Sequence, residues 1–422
     1  MNLLEQIQAM LTSNRVCSCG KKHRLTLKRF ELRKDAVEDL PSVLRDVSRS
    51  ITPRVVLICG ENGYRAIGKK LEFLYPFAQT ILLEQQYLHA DEKAVEIVGE
   101  QLQDCDLLVA ADSSTLHDIV KYIAQERGLP FVSVPTAATV DGYVSSVSAM
   151  TWHGVKKSLP AVAPVAVVAD TNVIAGAPPR LTISGIGELV GNYVSVFDWR
   201  VAHLLAGEDL CEEIVRMELD AMEAVLQELS HSKSDSPEVV QNLMLGLIVS
   251  GLAMQMVGSS RPASGAEHHL SHLIEMGVVI QGNRAMHGEK VGVCSGIICD
   301  YYHKLLARKI TTDDIEVNRR LPVEMIRHDF GELADEILRV NTPDPLGRIT
   351  RKAFVQKWPE IQRLARETLP TGEAIRNILR DSKAPATLTD IGVPEESLGD
   401  ILRLAPYVRS RLTLLRAATL LR

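Results

Sequence analysis

The stretch LLVAADSSTLHDIVKYIAQERGLPFVSV, residues 107–134, decides the fold. It opens on an apolar run at 106–111 that reads as a buried strand. It continues into TLHDIVKYIAQERG, where Leu116, Ile119, Val120 and Ile123 recur at i, i+3, i+4 and i+7, the spacing of one helix face. Gly128-Leu-Pro130 then stops that helix, and FVSV, 131–134, is a second apolar run. A strand, a helix and a strand in succession predict a parallel pair with a covering helix. At the strand-to-helix junction, where a dinucleotide's phosphates are usually cradled by glycine, stands Asp112-Ser113-Ser114.

Outward from this unit the same alternation holds. Apolar runs at 54–59, 79–84 and 165–169 read as further strands, with helical stretches between them. The first 175 residues therefore predict an α/β domain with a mostly parallel, Rossmann-like sheet covered on both faces. After the turn-rich Ala175-Gly-Ala-Pro-Pro179 the pattern changes to helical periodicity over 186–205, 208–230, 237–258, 265–280, 286–308, 321–340, 351–368, 372–381 and 396–421. The expected organisation is residues 1–175 as a nucleotide-binding-like domain and 176–422 as an all-α domain carrying metal and catalysis. Ser230–Pro237 reads as an exposed loop.

Composition narrows the function classes. The chain has 422 residues, 46% hydrophobic and 24% charged, with net charge −6 and pI about 6.1. This balance offers no footprint for nucleic acid; Arg319-Arg320 reads as solvated surface. No apolar run reaches the roughly 20 residues of a bilayer span. MNLLEQIQAMLTSN at the start is an amphipathic helix pattern without the layout of a signal peptide. Seven scattered cysteines argue against a disulfide framework. A cytoplasmic location is expected. One cluster, Cys17-Ser-Cys19-Gly20-Lys-Lys-His23, could hold a soft metal such as zinc, but a closed site needs a fourth ligand. Its plainer reading is a surface turn before the strand RLTLKRF.

Four segments carry chemistry together, although each has a plain structural reading alone. PTAATVDG, 135–142, follows a strand; its small residues admit a ligand, and Thr136, Thr139 and Asp141 offer hydrogen bonds. Gly154-Val-Lys156-Lys157-Ser158, read as a loop, could meet a phosphate. Ser184-Gly-Ile-Gly187-Glu188 reads as the opening of a helix, where a carboxylate can simply cap. SGAEHHLSHLIEM, 264–276, and HGEKVGVCSGI, 287–297, place four histidines within twenty residues. On a helix His268 and His272 share a face at i, i+4, His269 points elsewhere, and His287 opens the next helix. One carboxylate and two imidazoles make a three-ligand site with an open position.

These segments resemble the iron-containing alcohol dehydrogenase-like superfamily, and most closely its glycerol-1-phosphate dehydrogenase branch. The resemblance runs from the strand near Arg54 to the helix after His287. It implies a nucleotide-binding α/β domain, a helical domain, and a divalent ion (zinc, iron or nickel) in the cleft between them. It also implies oxidation or reduction of a small polyol or its phosphate with NAD or NADP. Residue by residue it makes Glu188, His268 and His287 the metal ligands. Asp141 would lie near the substrate hydroxyls, Lys156 near the substrate phosphate, and His272 would be a second active-site histidine. Asp112, Ser113, Ser114 and Thr115 would occupy the phosphate loop, with Thr136 and Asn62 beside the cofactor. A homodimer or larger homo-oligomer is implied.

Three departures from that pattern keep alternatives open. Glu188 stands where the dehydrogenases have Asp, although the related dehydroquinate synthase branch uses Glu. The phosphate loop has lost its glycines, and Asp112 would set a like charge against a diphosphate. The acid expected near Gly60 for the adenosine ribose is absent. A metal-dependent lyase, cyclase or phospho-sugar enzyme without a dinucleotide is therefore one alternative to the oxidoreductase. A non-enzymatic metal- or ligand-binding protein is another.

Overall fold

A computed structural model describes residues 2–13, 15–48, 50–316 and 320–422; Arg319 of the basic pair lies outside them. The strands are β1 (Arg29–Arg33), β2 (Val55–Gly60), β3 (Gln79–Leu83), β4 (Leu107–Asp112), β5 (Phe131–Pro135), β6 (Val147–Trp152), β7 (Val155–Pro160) and β8 (Ala166–Asp170). Six of them form one sheet in the order β1-β8-β5-β4-β2-β3, and every neighbouring pair in it is parallel. The central strands are buried on both faces. Val55, Leu57, Cys59, Val109 and Val134 pack into one apolar cluster, and Val56, Ile58, Leu108, Ala110 and Phe131 into another. Period-two alternation with two covered faces explains why these strands read as continuous apolar runs.

The order contains a switch point. From β2 the chain proceeds outward to β3, and from β4 it proceeds the other way to β5. The crevice beyond the carboxyl ends of β2 and β4 is where open α/β sheets bind ligands. The helix Ser114–Arg127 leaves β4 there and buries Leu116, Ile119, Val120 and Ile123, the expected face. It ends at Gly128, whose φ of +65° is the left-handed value a helix stop favours.

The chain forms two compact units that no single cut separates. The first holds residues 1–152, 157–185 and 216–260; the second holds 153–156, 186–215 and 261–422. The first unit therefore includes the Pro237–Val257 helix besides the sheet. That helix corrects one expectation: by length and composition it could cross a membrane, yet 83% of its apolar window is buried within the protein. It is a core helix, so its apolar residues run all round it.

Two further differences are local. β1 begins at Arg29 rather than at Arg24, because its register is set by pairing with β8 (Arg29 opposite Ala166). Gly154–Ser158 is not a loop. His153 (φ 53°) and Gly154 (φ 74°) make the turn between β6 and β7, and Lys156, Lys157 and Ser158 lie on β7. Two successive positive φ values are the two-residue hairpin geometry. The second unit is helical, as expected, with Pro179–Val190 running into it, then Asn192–Ala206, Ala266–Glu275, His287–Leu306 and the C-terminal helices.

Candidate active site

The candidate metal site is built within the second unit from the ends of three helices. Glu188 does not open a helix as expected. It lies in the last turn of Pro179–Val190, where the helix dipole disfavours a carboxylate. Capping therefore cannot explain it. A Cβ at Gly187 would stand 2.2 Å from the carbonyl oxygen of Gly288. The absent side chain thus lets the turn bearing Glu188 lie against the first turn of the His287 helix. His268 comes from the first turn of Ala266–Glu275, and His287 is the first residue of its own helix.

Both imidazoles present Nε2 to the same carboxylate. His268 Nε2 is 3.9 Å from Glu188 Oε1, and His287 Nε2 is 3.5 Å from Glu188 Oε2. The three donors lie within 4.8 Å of one another. A tetrahedral ion with bonds of about 2.0–2.2 Å separates its ligand atoms by roughly 3.3–3.6 Å, so the set fits a divalent ion. The opposite ring edges are fixed as metal-binding histidines require. His268 Nδ1 is 2.7 Å from Glu267 Oε1, and His287 Nδ1 is 2.6 Å from Glu275 Oε1. Each carboxylate accepts the Nδ1–H, which leaves the Nε2 lone pair facing Glu188.

His272 stacks on His287 with centroids 5.6 Å apart. Its donors also converge with those of Glu275 and His287, but Glu275 Oε1 is already committed to the Nδ1 edge of His287. The Glu188 set is thus the better ligand set. Burial first, then the charge of Arg409, holds His272 well below the ordinary imidazole range. It is neutral at pH 7, and its buried Nδ1 has no hydrogen-bond partner among the described residues. Burial opposes ionisation of Glu275, but His287, Lys156 and Lys290 outweigh it and keep this carboxylate well below its usual range. The Nζ atoms of Lys156 and Lys290 are each 3.6 Å from Glu275.

Sequence reasoning missed Glu267, Glu275, Lys290 and Arg409. The two acids flank the histidine motif and were legible as candidates by adjacency. Arg409 carries no local signal. Burial pushes its guanidinium down to about 10. Replacing Glu275 with Gln, which keeps the shape and removes the charge, is expected to weaken metal binding 10- to 100-fold. Competition with a chromogenic chelator reads this directly; unchanged affinity would dismiss the support assigned to Glu275.

The nucleotide positions gather in the first unit, at the carboxyl ends of β2, β4 and β5. Asp112 is 3% exposed. Its Oδ2 accepts from Gly60 N at 2.7 Å and its Oδ1 from Ser113 N at 2.6 Å; the Gly63 amide also bonds it. This corrects the expectation that Asp112 repels a diphosphate. The carboxylate turns inward across the switch point, where backbone amides satisfy it. Burial raises its pKa, and those amide bonds work the other way. A Cβ at Gly60 would lie 2.4 Å from Asp112 Oδ2, and one at Gly63 would lie 2.7 Å from it. The glycines absent after β4 are required after β2 instead, because a carboxylate occupies the close approach. Asp112→Ala should cost about 1–3 kcal/mol by stranding these amides, seen as a lower urea midpoint. A midpoint equal to the parent's would contradict the tie.

What stays accessible is the start of the Ser114 helix: Ser113 stands at its N-cap position without a side-chain capping bond, and Ser113, Ser114 and Thr115 are half-buried. Free N–H groups at a helix start suit a phosphate. Thr136 N donates to Asp112 O at 3.1 Å, and Asn62 is exposed, donating to Gln85 at 3.1 Å. Asp141, 8% exposed, accepts from Ser250 Oγ at 2.9 Å. Glu218 lies beside this pair. Burial first, then the charge of Asp141, lifts it well above the usual carboxylate range, against the Ser250 hydrogen bond. Glu218 was missed, yet it stands on an apolar helix stripe with Ala221, Met222 and Val225, a legible anomaly.

Residues 31–178 match the family model described as iron-containing alcohol dehydrogenase. A glycerol-1-phosphate dehydrogenase (NAD(P)+) of Bacillus licheniformis is 33% identical over 338 residues, covering 78% of this chain and 83% of that protein. The enzyme of the same name from Bacillus subtilis is 30% identical over 384 residues, 89% of this chain and 87% of its own. Among solved structures, a probable glycerol dehydrogenase from Sinorhizobium meliloti superposes with a TM-score of 0.60 at 16% identity. It covers 92% of this chain and 91% of its own, a likeness of fold.

Proposed function

From a chain that belongs to the glycerol-1-phosphate dehydrogenase branch of the iron-containing alcohol dehydrogenases, we propose a metal-dependent, NAD(P)-linked oxidoreductase that interconverts glycerol 1-phosphate and dihydroxyacetone phosphate. The observation that carries this reading is the convergence of His268 Nε2 and His287 Nε2 on Glu188, with both Nδ1 edges locked by carboxylates. Glu188, His268 and His287 would hold a zinc, nickel or iron ion that supplies a Lewis acid, and a bound NAD or NADP would supply hydride chemistry.

The chain's own residues do the rest. Lys156, Lys290 and Arg409 give the surroundings of Glu275 and His272 a positive field, which supports a phosphorylated substrate; Lys156 is our candidate for its phosphate. His272, neutral and with an unpartnered Nδ1, can accept a hydrogen bond from a substrate hydroxyl or donate one to its oxygen. Asp141, steadied by Ser250, is assigned to the substrate hydroxyls. The start of the Ser114 helix, with Ser113, Ser114, Thr115, Thr136 and Asn62, is assigned to the dinucleotide; Asp112 acts there by holding β2 and β4 together. With the like charge turned inward, one ground for a reaction without a dinucleotide falls away. A homo-oligomer in the cytoplasm belongs to the same proposal, and all seven cysteines are outside disulfides.

Chelation followed by dialysis should abolish dihydroxyacetone phosphate reduction by NADH or NADPH, and zinc, nickel or iron should restore it. The assay follows nicotinamide absorbance. Full turnover by metal-free protein, or no nicotinamide oxidation with any of the three metals, would overturn the reading.

A further inference from the structure

We propose that Cys17, Cys19 and His23 bind a second metal ion, zinc by the softness of the donors, which fastens the N-terminal segment to the end of the Pro237–Val257 helix. The site shares no residue with the Glu188–His268–His287 set. The chain folds back at Cys17-Ser-Cys19-Gly20: Gly20 N donates to Cys17 O, and Cys17 N donates to Lys21 O, both at 2.9 Å. Gly20 takes a φ of +83° there. Cys17 is buried, so this is not the plain surface turn that its sequence allows.

The donor atoms converge. Cys19 Sγ is 3.3 Å from His23 Nε2, and Cys17 Sγ lies within 4.8 Å of both. Zinc bonds of about 2.3 Å to sulfur and 2.0 Å to nitrogen place tetrahedral neighbours roughly 3.5–3.8 Å apart. His23 is also oriented for a metal. Its Nδ1 is 2.9 Å from Met256 O, so that carbonyl accepts the Nδ1–H and the Nε2 lone pair faces the sulfur. Met256 is the penultimate residue of a 21-residue helix, whose carboxyl end carries partial negative charge and favours a cation. Thr26 N donates to Gln255 Oε1 at 2.9 Å, a second tether of the same segment to the same helix end. Cys17, Cys19 and His23 thus supply three donors of a tetrahedral set.

Cobalt tests this on the full-length protein. After chelation and reloading with Co(II), a thiolate-to-cobalt charge-transfer band should appear. The Glu188 set contains no sulfur, so that band reports on the thiolate site and not on the Glu188 set, whatever reaction the enzyme catalyses. Cys19→Ser should abolish the band and lower the zinc content by about one ion per chain, whereas Cys105→Ser should change neither. Should Cys19→Ser fail to fold, His23→Gln, at a partly exposed position, should weaken cobalt binding at least tenfold in soluble protein. A cobalt-loaded parent without the band, or a band unaltered by Cys19→Ser or His23→Gln, would overturn the site.

Discussion

Replacing His287 with alanine should empty the catalytic metal site and lower kcat for dihydroxyacetone phosphate reduction about a thousandfold or more. His268→Ala should do the same. A Lewis acid contributes several kcal/mol to the transition state, and each 1.36 kcal/mol is a factor of ten in rate. Either substitution also leaves a carboxylate, Glu275 or Glu267, without the Nδ1–H that it accepts at 2.6 or 2.7 Å. The remaining imidazole and Glu188 cannot hold the ion alone at three-donor affinity. Metal analysis by mass spectrometry and the far-ultraviolet spectrum separate the intended effect from unfolding. Metal content should fall by about one ion per chain while the helical and sheet signals persist. Full occupancy in either variant would sink the ligand assignment.

The second large effect is expected at Lys121→Met. This lysine is fully buried on the Ser114 helix. Its Nζ donates to Gly142 O at 2.8 Å, Val147 O at 2.6 Å and Ser145 Oγ at 3.1 Å, and pairs with Asp118 at 2.8 Å. It therefore pins the segment after β5 that begins with Asp141. Methionine fills much of the volume but removes the one ammonium that two carbonyls, a hydroxyl and a carboxylate share. Removing one member of a buried pair costs about 3–5 kcal/mol. Urea unfolding measures the loss, and a change below 1 kcal/mol would show that the ammonium does not hold this loop. Occupancy of the Glu188–His268–His287 site should stay unchanged, because those three residues lie in the other unit.

Much of this was legible in the chain. The parallel sheet followed from apolar runs separated by a 3.6-period helix, since a strand buried on both faces has no polar face to show. The helices of the second half followed from the same periodicity, and His268 and His272 from their i, i+4 spacing. Adjacency to the histidines could have flagged Glu267 and Glu275. Glu188 was a candidate from the resemblance, and the fold sets it in the last turn of its helix and not at the start. Its neighbours in sequence do not reveal that Gly187 packs on Gly288, a hundred residues away.

Local periodicity thus determined element type and sheet class, because each of these depends on side chains a few positions apart. Tertiary structure alone decided where charged groups at element ends point. Asp112 reads as an acid facing a phosphate; in the fold it spans the switch point to the Gly60 amide. Lys121 reads as one more polar position on an amphipathic helix, yet it is enclosed by a loop more than twenty residues on. The physical reason is the same in both cases. A buried charge goes to whichever unpaired backbone groups the neighbouring strand or loop brings within hydrogen-bond reach, and those neighbours are set by sheet order and packing.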